Sequence, residues 1–374
     1  MKPNLLINLT NNTSNMTAYF LDPETNKFQI LDFVSFATDK LISNSTILDI
    51  DQLATIIQQN YQLLCQNVLV DKFHEINLVL PFQIPILNKQ IFVNNKFERY
   101  EKKIDEIQFF EIKFYKFYIG AEKVHYSYFI NKSLFEKYKN LFMKLRLKIS
   151  EIYTPALLIP QFFAENSKFN AVIELEDRKI TYNFYYGRNI FNTKSISYGV
   201  DYIFEHLAKK LKDSYDLDQS FQIDKMIELL KIDPVLDPKN NLSLLLLFND
   251  RPLSVLEFFI ATLKKAINEV LIGILYKTLN KLKNELKIPQ LETICLYKND
   301  FIYKLFQENF SKLGSKWISP DQLLAASNYQ LLDIDDPIVH SFFLMQNQKL
   351  KKAEIRQTKN LTKTQSQTSS TNIL

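Results

Sequence analysis

The sequence predicts a duplicated α/β fold. Three observations carry that expectation. Two stretches, beginning near Leu5 and near Ala171, each run strand, hairpin, strand and then helix in the same order. Each is interrupted by an insert, small and α+β in the first, helical in the second. The 374 residues suffice for two to three domains, and 46% apolar with 23% charged residues is the balance of a folded chain.

The elements follow in order. Leu5, Ile7 and Leu9 alternate as in a strand, and Asn11 to Ser14 form a turn cluster. Met16–Leu21 resumes the extended pattern, and Asp22-Pro23 turns the chain into Phe28–Phe36. From Asp49 onward Leu53, Ile56, Ile57, Tyr61 and Leu64 fall at helical spacing, with Asp49 and Asp51 at the positive end. Ile76–Leu80 is a short strand stopped by Pro81. Residues 82–150 read as the first insert: aromatic strands at Phe109–Tyr118 and Val124–Ile130, then a helix opened by Ser133. The second core is expected over 151–234 and 291–350. Its strands are Ala171–Leu175, Lys179–Tyr185 and, past a turn at Gly187, Ile190–Ile196; a helix follows at Val200–Leu211. Residues 235–290 are expected as a helical insert, with Ser254 and Glu257 in capping-box spacing. Ile294–Leu296, a helix at Tyr303–Phe310 and a last helix from Pro337 complete the core. The polar stretch 351–374 is expected to be a disordered basic tail.

Composition excludes several functions. Average usage of about 7% would give roughly 26 glycines; the chain has 5. Most phosphate loops built on glycine turns are thereby excluded. The formal charge is +5, but Lys351, Lys352, Arg356, Lys359 and Lys363 against Glu354 account for +4. The body, 1–350, carries 41 cations against 40 carboxylates, so no nucleic-acid partner is expected. Cys65 and Cys295 stand alone in apolar stretches, which suits a reducing compartment and no cysteine-rich zinc site. No basic-then-apolar leader opens the sequence, and the most apolar window, Phe258 to Tyr276, holds Lys264, Lys265 and Glu269. A cytoplasmic chain without a membrane span is expected.

The order of segments resembles the actin-like ATPase superfamily, and within it the FtsA family of bacterial division proteins. The likeness is carried by Leu5–Thr10 with the Asn11–Asn15 turn, by Leu41–Ile50, by Ile76–Leu80 and by Ala171–Leu175. Ser197–Ile203, Gln222–Lys225 and Asp336–Val339 complete it, with an insert at 82–150 in the FtsA position. The resemblance implies a duplicated ribonuclease-H-like (actin-type) fold with an FtsA-type insert. It implies a nucleotide cleft at Asn8, Thr10 and Asn11 in the first loop, Glu174, Glu176 and Asp177 in the second, and Gly199 and Lys225 beyond. Small residues should form such a cradle. The sequence instead reads Asn8-Leu9-Thr10-Asn11-Asn12, Glu174-Leu175-Glu176-Asp177-Arg178 and Leu296-Tyr297-Lys298-Asn299-Asp300. ATP and Mg²⁺ binding are therefore expected to be weak or lost, leaving a non-catalytic pseudo-ATPase.

The resemblance further implies a division-ring adaptor at the septum that binds the C-terminal peptide of FtsZ through 235–290. Arg251, Lys264 and Lys265 are the candidate anchors. Self-association through 82–150 and weak contact of the basic tail with anionic membrane are also implied. Two alternatives stand beside this reading: an actin-like ATPase with an altered cleft, and a PilM-like scaffold of a membrane assembly, which shares the fold and binds a partner's peptide. The plainer readings are a solvated Lys225, a polar hairpin edge at Glu174, Glu176 and Asp177 rather than a metal site, and solvated charges at Arg251, Lys264 and Lys265. The four histidines show no ligand spacing, and no catalytic group or metal site is expected.

Overall fold

A computed structural model describes residues 2–43, 45–81, 86–93, 96–100, 109–119, 122–163, 168–176, 178–199, 201–202, 205–206, 209, 257, 261, 265, 269, 272–297, 316–318 and 336–369, with backbone alone over 86–131, 297, 316–318 and 354–369. Contacts divide the chain into two units, Met1–Ala164 with Leu324–Leu374, and Glu165–Leu323.

In the first unit β1 (Asn4–Asn8), β2 (Thr13–Asp22) and β3 (Lys27–Ala37) form an antiparallel meander. A two-rung hairpin, β4 (Ile42–Ser43) and β5 (Thr46–Ile47), leads to α1 (Ile50–Val68). Asp49 caps α1, its side chain accepting from the backbone N–H of Asp51 and Gln52. The chain then adds β6 (Ile76–Val79), parallel to β1. Strands β7 (Ile86–Val93), β8 (Lys96–Tyr100), β9 (Phe109–Ile119) and β10 (Glu122–Asn131) make a separate antiparallel sheet in the order β8-β7-β10-β9. After α2 (Lys132–Lys144), β11 (Glu151–Tyr153) joins β6 in parallel. The main sheet thus runs β11-β6-β1-β2-β3, and β2 alone opposes the rest.

Alternation along the strands builds two cores. Leu5, Ile7, Met16 and Ala18 meet Leu53, Ile57 and Leu64 of α1 and Tyr138, Leu141 and Phe142 of α2. From the other face of β2, Tyr19 packs edge to face on Phe342 and Phe343, at 5.7 and 5.0 Å between ring centres. Those two phenylalanines belong to the closing helix, Pro337–Ser369.

The second unit repeats the plan. Strands β12 (Phe169–Leu175), β13 (Ile180–Tyr186) and β14 (Asn189–Ile196) form the meander, with Gly187 at φ 57° in its second turn. Beyond a π-helical turn at Ile272–Tyr276 and α3 (Lys277–Glu285), β15 (Leu291–Tyr297) adds parallel to β12, and β16 (Lys316–Ile318) adds parallel to β15. The order β14-β13-β12-β15-β16 matches that of the first sheet strand for strand.

Three boundaries differ from expectation. The second core does not begin at 151, because β11 takes the edge of the first sheet. The α2 helix, expected within the 82–150 insert, belongs to the first core through its buried face. The closing helix, expected with 291–350 in the second core, lies in the first unit, where its aromatic residues find Tyr19. It also continues helically to Ser369, where disorder was expected. Neither proline nor glycine interrupts it after Pro337, and Lys, Gln, Ala, Glu and Arg are good helix formers. No helix among the described residues is long and apolar enough to cross a membrane.

Candidate functional site

Within the first unit, the last residue of β1, Asn8, and the loop residues Thr10 and Asn11 are the predicted first half of a cleft. Its polar groups are turned inward on one another. The Thr10 N–H donates to Ser14 Oγ at 2.9 Å, and the Asn12 N–H donates to Thr10 Oγ1 at 3.2 Å. Thr10 Oγ1 donates to the Thr13 carbonyl at 2.8 Å, and Thr38 Oγ1 donates to the Thr10 carbonyl at 2.9 Å. Asn11 Oδ1 accepts from the Ser45 N–H at 3.2 Å. Serine and threonine hydroxyls here take the role of local backbone caps.

A second feature lies at the base of that loop. Asn8 is 1% exposed and Asn15 4%. Both donate through Nδ2 to one carboxylate oxygen of Asp336, Asn8 at 2.9 Å. The other oxygen of Asp336 caps the closing helix, accepting from the N–H of Ile338 at 2.8 Å and of Val339 at 3.4 Å. The Oδ1 atoms of Asn8 and Asn15 are buried and meet no donor.

The fit of a nucleotide phosphate can be tested on this geometry. A phosphate cradle presents several free backbone N–H groups. Two of the loop's amides are already occupied by neighbouring hydroxyls, and the strand end offers carbonyl oxygens beside a carboxylate. The loop thus presents fewer free amides than such a cradle uses.

In the second unit, Glu174 is 1% exposed and accepts from Asn183 Nδ2 at 2.7 Å, while Thr193 Oγ1 donates to Asn183 Oδ1 at 3.0 Å. Glu174 is thus a buried member of a cross-strand network, and the expected exposed hairpin edge does not extend to it. Glu176 is half-buried and closes the β12–β13 turn, its N–H donating to the Lys179 carbonyl at 2.9 Å. Gly199 is buried and Lys265 exposed on a helical backbone. Asp177, Lys225, Arg251 and Lys264 lie outside the described residues. Among the described residues, no group of three or more His, Cys, Asp or Glu side chains is placed to hold a metal ion.

Sequence reasoning missed Asp336, Asn15 and Asn183 as members of these networks. The Asp-Pro pair at 336–337 carries a visible helix-start signal, but nothing local announces a partner 328 residues away.

No protein-family model matches the sequence, and no curated protein matches it. Solved structures do. One is a PilM–PilN type IV pilus biogenesis complex, at a TM-score of 0.56 and 11% identity, covering 92% of this chain and 98% of that one. Two sheets of one strand order, and this likeness over nearly both whole chains, decide the fold. The chain has the actin-like ATPase fold. Also similar are MreB5 of Spiroplasma citri bound to ADP (TM-score 0.46, 10% identity, 95% of this chain and 99% of that one) and the ethanolamine utilization protein EutJ from Carboxydothermus hydrogenoformans (0.44, 10%, 92% and 90%).

Proposed function

We propose that the chain is a non-catalytic scaffold of the actin-like fold, which acts by holding a segment of a partner protein in a membrane-associated assembly. The observation that carries this reading is the β1–β2 loop, whose Thr10 and Asn12 amides bond to Ser14 and Thr10 side chains instead of facing outward. The likeness to PilM in its complex with PilN supports the scaffold role. Mg-ATP titrated into the full chain by calorimetry is expected to give no saturable heat at submillimolar concentration. Saturable binding there would return the chain to the nucleotide-dependent members of its fold.

An FtsA-like division adaptor that binds the FtsZ tail and self-associates through 82–150 is a narrower version of the same idea. The likeness to the PilM–PilN complex supports the broader scaffold reading, which is preferred.

Membrane association has its own support. Lys352, Arg356, Lys359 and Lys363 fall three and four residues apart along the closing helix, which places these positions on one face. Near an anionic surface each cation contributes about 1 kcal/mol. The chain is expected to sediment with phosphatidylglycerol vesicles at low salt and to leave them at high salt. Changing Lys352, Arg356, Lys359 and Lys363 to glutamine should abolish the effect; unchanged sedimentation would remove the helix from the interaction.

A further inference from the structure

At the end of the first sheet opposite the β1–β2 loop, around the N-terminal ends of β1, β6 and β11, lies a groove of ≈ 1290 Å³. Its mouth is basic. Lys2, Lys72, Arg146 and Lys148 line it against one carboxylate, Asp71, and all five are exposed. Among the described residues none of the four cations makes an ion pair. The floor is apolar: Phe73 and Ile76 are buried, and the ring of Tyr61 meets Phe73 edge to face at 5.6 Å.

The lip is Leu69, the residue that ends α1. Its backbone is left-handed, φ 58°, so that its N–H donates to the Gln66 carbonyl and the Val70 N–H to the Cys65 carbonyl. Glycine suits this position, and a leucine there is disfavoured. The side chain recovers nothing by burial within the chain, for it is 89% exposed. An apolar side chain exposed at the edge of a cationic groove is free to be covered by a bound segment.

We propose that this groove docks an acidic segment of a partner protein that carries large apolar side chains. The acids meet Lys2, Lys72, Arg146 and Lys148, and an apolar side chain covers Leu69 and reaches the floor. This deepens the scaffold reading, on which it rests, by naming where the partner binds. The recessed floor favours a peptide over a bilayer, whose flat surface would stop at the lip.

The test is fluorescence anisotropy of the full chain with a labelled short peptide of alternating Glu and Leu, beside the same peptide with Lys in place of Glu. The acidic peptide is expected to bind and the basic one to fail, with affinity falling as salt rises. Lys72→Glu with Arg146→Glu should weaken binding by about tenfold or more. Leu69→Gly keeps the left-handed backbone, and should weaken binding without lowering the melting temperature. Equal binding of both peptides, or none, overturns the groove; the scaffold reading would then still be judged by the Mg-ATP titration. Binding abolished by Lys265→Glu and untouched by the groove variants also overturns the groove, and moves the partner to the second unit. Binding of phosphatidylglycerol vesicles that Lys72→Glu with Arg146→Glu abolishes, while the peptide does not compete, would replace the peptide by a lipid surface.

Discussion

Asp336→Ala is expected to destabilise the first unit by about 4 kcal/mol, summing a lost helix cap of about 1 kcal/mol with two charge-assisted hydrogen bonds of about 1.5 kcal/mol or more each. One carboxylate serves both ends of a long loop closure. Its Oδ1 caps Ile338 and Val339, and its Oδ2 accepts from Asn8 and Asn15, 328 and 321 residues away. Alanine would leave two buried amides with neither their oxygens nor their nitrogens paired, which is where the larger share of the cost arises. Urea denaturation followed by circular dichroism gives the number. Asn8→Ala combined with Asp336→Ala should cost less than the two singles added, since both remove the same bond. Strict additivity, or a loss below about 1 kcal/mol, would mean that the carboxylate only caps the helix.

Alkaline pH is expected to destabilise the protein progressively above about pH 10, with unfolding one to several pH units higher. Burial raises the phenol pKa of Tyr19 and Tyr138 in the first unit and of Tyr182 and Tyr185 in the second, all well above the ordinary tyrosine value. For Tyr19, the Asn77 amide, which donates to its oxygen at 2.7 Å, opposes the shift without cancelling it. At Tyr185 the buried Glu174 adds to the effect of burial. The sign follows from linkage. Each folded pKa lies above its unfolded one, so the stabilisation is complete below pH 10 and disappears as pH rises toward the folded value. Above pH 10 each phenol removes about 1.4 kcal/mol per pH unit, and the two in a unit about 3 kcal/mol per pH unit. Circular dichroism across pH 8 to 12 measures the transition, and Tyr182→Phe should flatten the second unit's slope by about half. A transition indifferent to that substitution would place the sensitivity elsewhere.

Much of the fold was legible because its signals are local. The alternation of Leu5, Ile7 and Leu9 and the spacing of Leu53, Ile57 and Leu64 report which side of a strand or helix is buried, whatever covers it. Asp49 announced the start of α1 through a bond two and three residues away. The three misplaced boundaries share another character. Glu151–Tyr153 is too short to declare its neighbour, and the sheet edge that accepts it is β6, a strand more than seventy residues earlier. Phe342 and Phe343 say that a helix is buried, not against which sheet.

The candidate site divides in the same way. Glycine scarcity and the run Asn8-Leu9-Thr10-Asn11-Asn12 already spoke against a phosphate cradle, because backbone that carries side chains admits fewer amides to a ligand. The bonding that these residues take up was not legible. The sequence treats Glu174 as one more carboxylate near a turn, while the sheet register sets it opposite Thr181 and within reach of Asn183, where its carboxyl is buried and bonded.

From residue order alone, then, come the paired strand-hairpin-strand-helix halves and the capped start of α1, each a matter of neighbours within a few positions. Only the folded chain decides that the closing helix returns to the first sheet, that Asp336 ties it to Asn8 and Asn15, and that Leu69 shares a groove with Lys2, Lys72, Arg146 and Lys148. These depend on contacts between distant segments. Chain connectivity permits many such contacts, and packing selects among them by burying apolar rings and satisfying the polar groups buried with them.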